Sequence, residues 1–116
     1  MKYLCLVYQE SGDSVPESRC NDFAGEVIDH REQLRLSGYL IASSPLQSAR
    51  DAASVRVRNG KVSISDGPVG RIEEQLEAFY LIDARDLNDA IRVASKIPSA
   101  RHGCIEIRPL REVNHQ

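Results

Sequence analysis

Asp66-Gly67-Pro68-Val69-Gly70 breaks regular structure in the second half of the chain, and the apolar run Phe79-Tyr80-Leu81-Ile82-Asp83 restores it. Gly67 is free to adopt positive φ, while the ring of Pro68 fixes its own φ and disfavours helix at the preceding residue. A tight polar loop therefore ends one strand and leads towards another through a short helical or irregular segment at 73–76. The restored run is apolar on both alternating faces, which is typical of a strand covered on both sides.

Outward from this stretch, the apolar patterns predict strands and helices in a regular order. Residues 2–8 repeat the two-sided pattern of a covered strand. Between 23 and 34, apolar residues and His30 recur at helical spacing, which predicts a helix that starts near Pro16 and stops at Gly38. The remaining predicted elements are a strand at 39–42, a hairpin at 54–65, a strand at 79–82, a helix at 87–97 capped by Asp86, and a strand at 104–108.

The hairpin is the clearest local signal in the chain. Its two arms, 54–58 and 61–65, alternate between apolar and polar side chains, and Asn59-Gly60 between them suits a two-residue turn of type I′. We expect the aliphatic side chains to point inward and the polar ones outward. The inward set is Val55, Val57, Val62 and Ile64, and the outward set is Arg56, Arg58, Lys61 and Ser63.

The order β-α-β, hairpin, β-α-β defines the expected fold class. It is the split βαβ plan of an α+β, ferredoxin-like fold with an antiparallel sheet and a hairpin inserted in the middle. Both helices cover one face of the sheet in that plan, so the apolar residues on the other face need a partner. We therefore expect a homodimer, as in the dimeric α+β barrels, because monomers rarely leave an apolar sheet face exposed.

Length and composition narrow the class of protein. A chain of 116 residues, 41% of them hydrophobic and 28% charged, is expected to form a single domain at 1–116 with a polar tail at 110–116. The net charge of −2 and the scattered Lys and Arg argue against direct nucleic-acid or membrane binding. Three cysteines without short paired spacing point to a reducing compartment, the cytoplasm, and against a zinc site. No cofactor motif is present, so we expect no cofactor and no metal.

A family resemblance runs through nearly the whole chain. It rests on the opening 1–8, the hairpin 55–61, the signature Asp66-Gly67-Pro68, the segments 74–76 and 79–83, and the close 105–109. These stretches resemble the YCII-related proteins of bacteria, and in particular the subgroup named for an Asp-Gly-Pro-Phe (DGPF) motif. The resemblance implies the ferredoxin-like fold of a dimeric α+β barrel. It also implies catalysis by a His-Asp pair, small chlorinated aromatics as substrates of some relatives, and sigma factors of the extracytoplasmic type as partners of others.

The signature departs from the family pattern directly after Pro68. Family members continue with Phe-Ala-Glu and a Lys two residues later, whereas this chain has Val69, Gly70, Arg71 and Glu73. The acid and the amine have roughly exchanged places. If those groups contact a substrate in the family, this protein binds something else or nothing there.

Two residues are candidates for acid/base chemistry. His30 lies on the apolar face of the first predicted helix and could serve as a general base, or it could be a hydrogen-bonded histidine at the edge of the core. Asp66 could orient that imidazole or accept a ligand, or its side chain could close its own turn before Gly67-Pro68.

Four further residues are candidates for ligand binding. Glu106 and Arg108 alternate with Ile105 and Ile107, so they should point away from the helices, where Arg108 could hold a carboxylate or phenolate or pair with Glu106. Tyr8 and Tyr80 could line the same cavity or belong to the core. Cys104 would be a nucleophile only if it faced that cavity with a lowered pKa.

Two functions are compatible with these residues. The first is a metal-independent enzyme or binding protein of the YCII-related type, with acid/base chemistry on a small aromatic or acidic compound. The second is a non-catalytic interaction module linked to sigma-factor-dependent transcription. A cavity lined by Asp66, Glu106, Arg108 and His30 would favour the first.

Overall fold

The computed structural model describes residues 1–10, 17–67 and 74–111, and it describes side chains in these ranges except at 10, 17–24 and 74. Six strands and two helices follow one another within these ranges. They are β1 (Lys2–Glu10), α1 (Glu17–Leu36), β2 (Leu40–Pro45), β3 (Ala53–Arg58), β4 (Lys61–Asp66), β5 (Glu74–Asp83), α2 (Leu87–Ala94) and β6 (Gly103–Pro109). Short 3-10 turns occupy Ala49–Asp51 and Pro98–Arg101.

Four strands form the main sheet, in the order β2-β5-β1-β6, and every neighbouring pair is antiparallel. This is the strand order of a ferredoxin-like α+β fold, so the predicted fold class is confirmed. The strands are longer than the sequence predicted. In particular, β5 begins at Glu74, which makes 74–76 part of a strand rather than the expected irregular segment, and β2 continues to Pro45.

The core lies between one face of this sheet and the two helices. Tyr3, Cys5 and Val7 alternate along β1 and are almost completely buried, and their neighbours across the sheet include Ile82 and Ile107. Leu34 of α1 packs on the same cluster, together with Ala90, Val93 and Ala94 of α2. Burial raises the pKa of the Cys5 thiol to about 11, so this cysteine is an inert core side chain.

Helix ends follow the predicted capping chemistry. Gly38 adopts φ +81°, and the amide of Tyr39 donates to the carbonyl of Leu34 while that of Gly38 donates to Arg35, a Schellman termination of α1. Asp86 caps α2 by accepting from the amide of Asp89 at 2.8 Å.

The sequence pattern of the second helix predicts a buried apolar stripe of Leu87, Ala90, Ile91, Ala94 and Ile97, and the structure agrees with it only in part. The helix ends at Ala94 instead of Ile97, and Leu87 and Ile91 are about half exposed. Ala90, Ala94 and Ile97 are buried as predicted, and Val93, which the prediction left out, is buried with them. The packed helix therefore buries Val93 in place of Leu87 and Ile91.

The hairpin has the predicted turn but not the predicted environment. Asn59 and Gly60 adopt φ +53° and +76°, as a type I′ turn requires. However, β3 and β4 form a separate two-stranded sheet, and all four aliphatic side chains expected to be inward are exposed. Alternation correctly groups them on one face, but it does not tell whether another layer covers that face. The hairpin base is closed by Gly67, whose amide donates to the carbonyl of Ala52 at 2.8 Å. Pro68, the last residue of the signature, and the residues from there to 73 lie outside the described part of the chain.

Candidate functional site

We call the face of the main sheet opposite the helices the open face. It carries an apolar platform formed by residues of β1 and β5. Leu4 and Leu6 of β1 lie on it, because their alternating neighbours Tyr3, Cys5 and Val7 point into the core. Across the β1–β5 pairing, Leu4 is opposite Leu81 and Leu6 is opposite Phe79. These four side chains are only half-buried, and they form a flat apolar surface to which a ring could bind.

Glu106 and Arg108 stand beside this platform, as their alternation with Ile105 and Ile107 predicted. Glu106 is opposite Leu6 and Arg108 is opposite Leu4 in the β1–β6 pairing, whereas Ile105 and Ile107 pack against the core cluster. The guanidinium Nη2 of Arg108 lies 2.9 Å from Oε2 of Glu106, which makes an ion pair.

The carboxylate oxygen in this ion pair lacks a hydrogen bond within the described part of the chain. Oε2 of Glu106 is buried and makes no hydrogen bond with the described residues, so its contact with Arg108 is the ion pair alone. Arg108 itself is 70% exposed. The Glu106 side chain is 41% exposed. The arrangement therefore offers a carboxylate that a ligand can reach, next to a cation that can still bind an anion.

Tyr8 and Cys104 extend the open face beyond Glu106. They are directly opposite each other in the β1–β6 pairing, and the Cys104 thiol is free and exposed. Gly103 makes this end of the sheet possible, because a Cβ built on it would lie 2.0 Å from the carbonyl oxygen of Tyr8. Sequence reasoning gave Gly103 no role, and a glycine at the start of a strand is the signal that could have indicated a close backbone approach.

Tyr80 is separated from Tyr8 by the sheet. It is opposite Cys5, which places it on the helix-covered face, and it is only 4% exposed. Burial raises the pKa of its phenol, with Arg31 of α1 opposing the shift and Glu77 adding to it. The two tyrosines therefore do not line one cavity.

His30 occupies a different location, a groove on the helical side of the molecule. The groove has a volume of about 400 Å³ and runs between α1 and the segment that joins α2 to β6. Nδ1 of His30 is buried there and has no hydrogen-bond partner among the described residues. Burial and, to a lesser extent, the Lys96 ammonium lower the pKa of His30 below its usual 6.5, which favours the neutral imidazole at pH 7.

The walls of the groove combine both signs of charge. Asp29 and Gln33 of α1 face Lys96, and an ion pair between Arg101 and Glu26 connects the two walls. A neutral imidazole in such a groove could exchange a proton with a ligand bound there. It cannot act on a ligand at Arg108, because the sheet lies between the two positions.

Asp66 reaches neither location in the described part of the chain. It ends β4 opposite Ala53, its side chain is exposed, and it makes no hydrogen bond to another described residue. The expected combination of Asp66 with His30 in one cavity is therefore not present among these residues. Any contribution of Asp66 depends on how the hairpin sits against a ligand or a partner.

Asp89 is the most strongly perturbed acid among the described residues, and sequence reasoning missed it. The residue is 4% exposed. Its carboxylate accepts from the amide of Arg85 at 3.1 Å and from the guanidinium of Arg92 at 2.8 Å, and the Tyr39 hydroxyl lies 3.4 Å away. These hydrogen bonds hold the pKa of Asp89 far below its usual value. An acid three residues after an N-cap is typical of a capping box, so the spacing Asp86 to Asp89 was the available signal. Its role is to fix the start of α2.

The part of the chain that the structure describes contains neither a cluster of metal ligands nor a membrane-spanning helix. Among residues 1–10, 17–67 and 74–111, no group of three or more His, Cys, Asp or Glu side chains could hold a metal ion. No helix in these ranges combines the length and the apolar character needed to span a membrane.

Fold and open face together define a class of protein, a ferredoxin-like α+β domain with one helix-covered and one open sheet face. The chain belongs to the YCII-related domain family, whose model matches residues 1–114. A solved structure with the same fold, the 5-chloro-2-hydroxyhydroquinone dehydrochlorinase TftG from Burkholderia phenoliruptrix AC1100 in complex with 2,5-dihydroxybenzoquinone, superimposes with a TM-score of 0.57. That match covers 97% of this chain and 96% of the other, at 10% sequence identity.

Among curated proteins, this chain is similar to an uncharacterized protein of Rhizobium meliloti (strain 1021). The two are 39% identical over 61 residues, which is 51% of this chain and 49% of the relative. The match thus spans about half the length of the relative. The family match and the structural match both agree with the predicted α+β fold.

Proposed function

We propose that this protein is a small-molecule enzyme or binding protein of the YCII-related type, and that its ligand is a small aromatic or acidic compound bound on the open face. The observation that carries the proposal is the Glu106–Arg108 pair beside the apolar platform. It combines a flat apolar surface with a cation and with a buried carboxylate oxygen that lacks a hydrogen bond. A phenol or an aromatic acid complements these three features at once.

The chemistry assigned to the pair is acid/base chemistry without a metal. The Glu106 carboxylate accepts the proton of a ligand hydroxyl, and the negative charge that remains on the ligand oxygen is stabilised by Arg108. The same Arg108 binds a ligand that is already a carboxylate. The hydroxylated ring compound bound by the structural neighbour supports this choice of chemical class.

His30 is a second acid/base candidate, at the groove on the helical side. Its unpartnered Nδ1 and its lowered pKa suit a proton acceptor at neutral pH. Because the sheet separates it from Arg108, we assign it to a ligand in the groove. Asp66 keeps a catalytic assignment only as part of a hairpin that contacts a ligand or a partner.

A homodimer is part of the proposal, because a second copy would turn the open face into a closed cavity. Leu4, Leu6, Phe79 and Leu81 are half-buried in one copy, and exclusion of water around Arg108 would strengthen its attraction for an anion. We also place the chain in the DGPF subgroup, on the sequence Asp66-Gly67-Pro68, and in the bacterial cytoplasm.

A ligand screen tests the proposal. Wild type is screened by thermal shift against small carboxylates and phenols, and the dissociation constant of each hit is measured by calorimetry. Arg108→Ala and Glu106→Gln should each bind about 10- to 100-fold more weakly, as expected for loss of a hydrogen bond to a charged group. Arg50→Ala, an exposed arginine in the turn after β2, is the matched control and should bind like wild type.

Three other outcomes separate the alternatives. Equal affinity in wild type and both variants would place the ligand elsewhere, and loss of binding in His30→Gln alone would move it to the groove. If no compound stabilises the protein, the non-catalytic module linked to a sigma factor becomes the better hypothesis.

A further inference from the structure

The hairpin carries an uncovered apolar surface of its own, which we call the hairpin stripe. It consists of Val55 and Val57 of β3 with Ile64 and Val62 of β4, which are paired directly opposite each other. Their exposed fractions range from 54% to 69%. Four aliphatic side chains on one face of a two-stranded sheet are the pattern of a covered sheet, not of a solvated one.

The shape of the molecule shows why the stripe is uncovered. The chain extends 49 × 47 × 19 Å with a radius of gyration of 16.4 Å, whereas a compact domain of this length is expected to have about 13 Å. The hairpin forms its own sheet instead of joining the main one. A lone two-stranded hairpin is marginally stable in water at best, so a further surface is needed to hold this one.

The distribution of net charge favours a second copy of the chain as the surface that covers the stripe. The hairpin carries Arg56, Arg58, Lys61 and Asp66, which give it a net charge of +2. Because the whole chain carries −2, the rest of it carries −4. The hairpin of one copy is therefore attracted by the body of another.

The apolar area of the hairpin stripe is large enough for a stable interface between two copies. Four aliphatic side chains offer roughly 300–400 Å² of apolar surface. If two copies exchange hairpins about a two-fold axis, the two stripes and the surfaces they cover add up to about 1,200–1,600 Å², which is the size of a stable interface.

We propose that the hairpin stripe packs against a second copy of this chain, with the hairpin of that copy packing reciprocally. The inference rests on the homodimer of the proposed function and goes beyond it, because it assigns part of the interface to β3 and β4. In this arrangement Asp66, at the base of the hairpin, is held next to the partner instead of projecting into solvent.

Cysteine protection tests the arrangement. Val62→Cys places a thiol on the stripe, and Ser63→Cys places one on the opposite face of the same strand, where the single chain is equally open. Each variant is treated with a maleimide at protein concentrations above and below the dimer dissociation constant, and alkylation of each position is followed by peptide mass spectrometry. The thiol of the Val62→Cys variant should react at least 10-fold more slowly in the dimer than after dilution to the monomer. The thiol of the Ser63→Cys variant should react at the same rate at both concentrations.

A second pair of variants tests the same contact without chemical labelling. Ile64→Asp adds a charge to the stripe and should weaken the dimer at least 100-fold in sedimentation equilibrium, while Ser65→Asp on the opposite face should change the dissociation constant less than 3-fold.

Two labelling results would overturn the hairpin inference and leave the open-face proposal intact. The first is a dimer in which the thiols introduced at positions 62 and 63 react equally fast. The second is protection at position 62 that is independent of concentration, because the cover would then come from the same chain.

A monomer at all concentrations overturns both the hairpin inference and the dimer. The ligand screen with Arg108→Ala still decides the small-molecule function in that case. The two failures are therefore distinguishable.

Discussion

Gly103→Ala should destabilise the protein strongly, although the change adds only one methyl group. The new Cβ would lie 2.0 Å from the carbonyl oxygen of Tyr8, 3.0 Å from its carbonyl carbon and 3.2 Å from Cα of Gln9. Cβ atoms essentially never approach other heavy atoms to less than 3.0 Å. All three contacts are with backbone, so no side-chain rotation relieves them, and β6 must move away from β1 by about 1 Å.

The size of the effect follows from two costs. Overpacking of a tightly packed site costs about 1–3 kcal/mol, and weakening one ladder hydrogen bond between β1 and β6 adds about 1 kcal/mol. We therefore expect a loss of about 2–4 kcal/mol in the free energy of unfolding, a large fraction of the roughly 5–15 kcal/mol typical of a domain. Urea denaturation followed by circular dichroism, at one fixed protein concentration, measures this loss.

Gly25→Ala is the matched control. Gly25 lies within α1, a Cβ added there would meet no atom within 4 Å, and the residue does not adopt positive φ. The same substitution there should stabilise the protein by about 0.5–1 kcal/mol. If Gly103→Ala unfolds within about 0.5 kcal/mol of wild type, a difference smaller than one hydrogen bond, the close approach of β6 to β1 does not exist and the register that places Glu106 and Arg108 on the open face must be revised.

Two further substitutions test local structure. Asp89→Asn should lower the free energy of unfolding at pH 7. In the folded state the pKa of Asp89 is depressed below its ordinary value of 3.8, so the loss of stability relative to wild type should shrink as the pH falls below about 4. Urea titrations at pH 7 and pH 3 measure this, and a difference that does not change with pH would mean that the ionised carboxylate contributes nothing. Gly60→Val should cost about 1 kcal/mol or more, because φ is +76° at this position; an unchanged melting temperature would contradict the type I′ turn.

Much of the fold could be predicted because it depends on local rules. The turn at Asn59-Gly60 needs positive φ at both residues, and the Gly38 termination needs it at one, so residue type alone identifies these positions. The period of two in β6 likewise separates Ile105 and Ile107 from Glu106 and Arg108, whichever strands pair with it. Such features are set within a few residues and survive in the folded chain.

The features that could not be predicted depend on distant parts of the chain. Alternation groups Val55 with Ile64, but it carries no information about which layer covers them. Helical spacing predicted Ile91 in the core and left out Val93, whereas the orientation of α2 on the sheet buries Val93 and leaves Ile91 half exposed. The role of Gly103 emerges only when β6 is laid against β1.

The candidate site was predicted in part, and the reason is the sheet itself. The alternation of side chains along β6 predicted that Arg108 and Glu106 lie on the open face. Tyr80 and His30, in contrast, lie on the side that the helices cover. A residue on α1 can reach the open face only around an edge of the sheet. Among the described residues, acid/base groups for a ligand at Arg108 therefore come from the strands or the hairpin, and a second copy is a further source. Among the described strand residues, Glu106 is a carboxylate beside Arg108 that meets this condition. If the hairpin packs on a second copy, its base brings Asp66 near the partner, which makes Asp66 a group that a ligand site in the dimer can draw from the other chain.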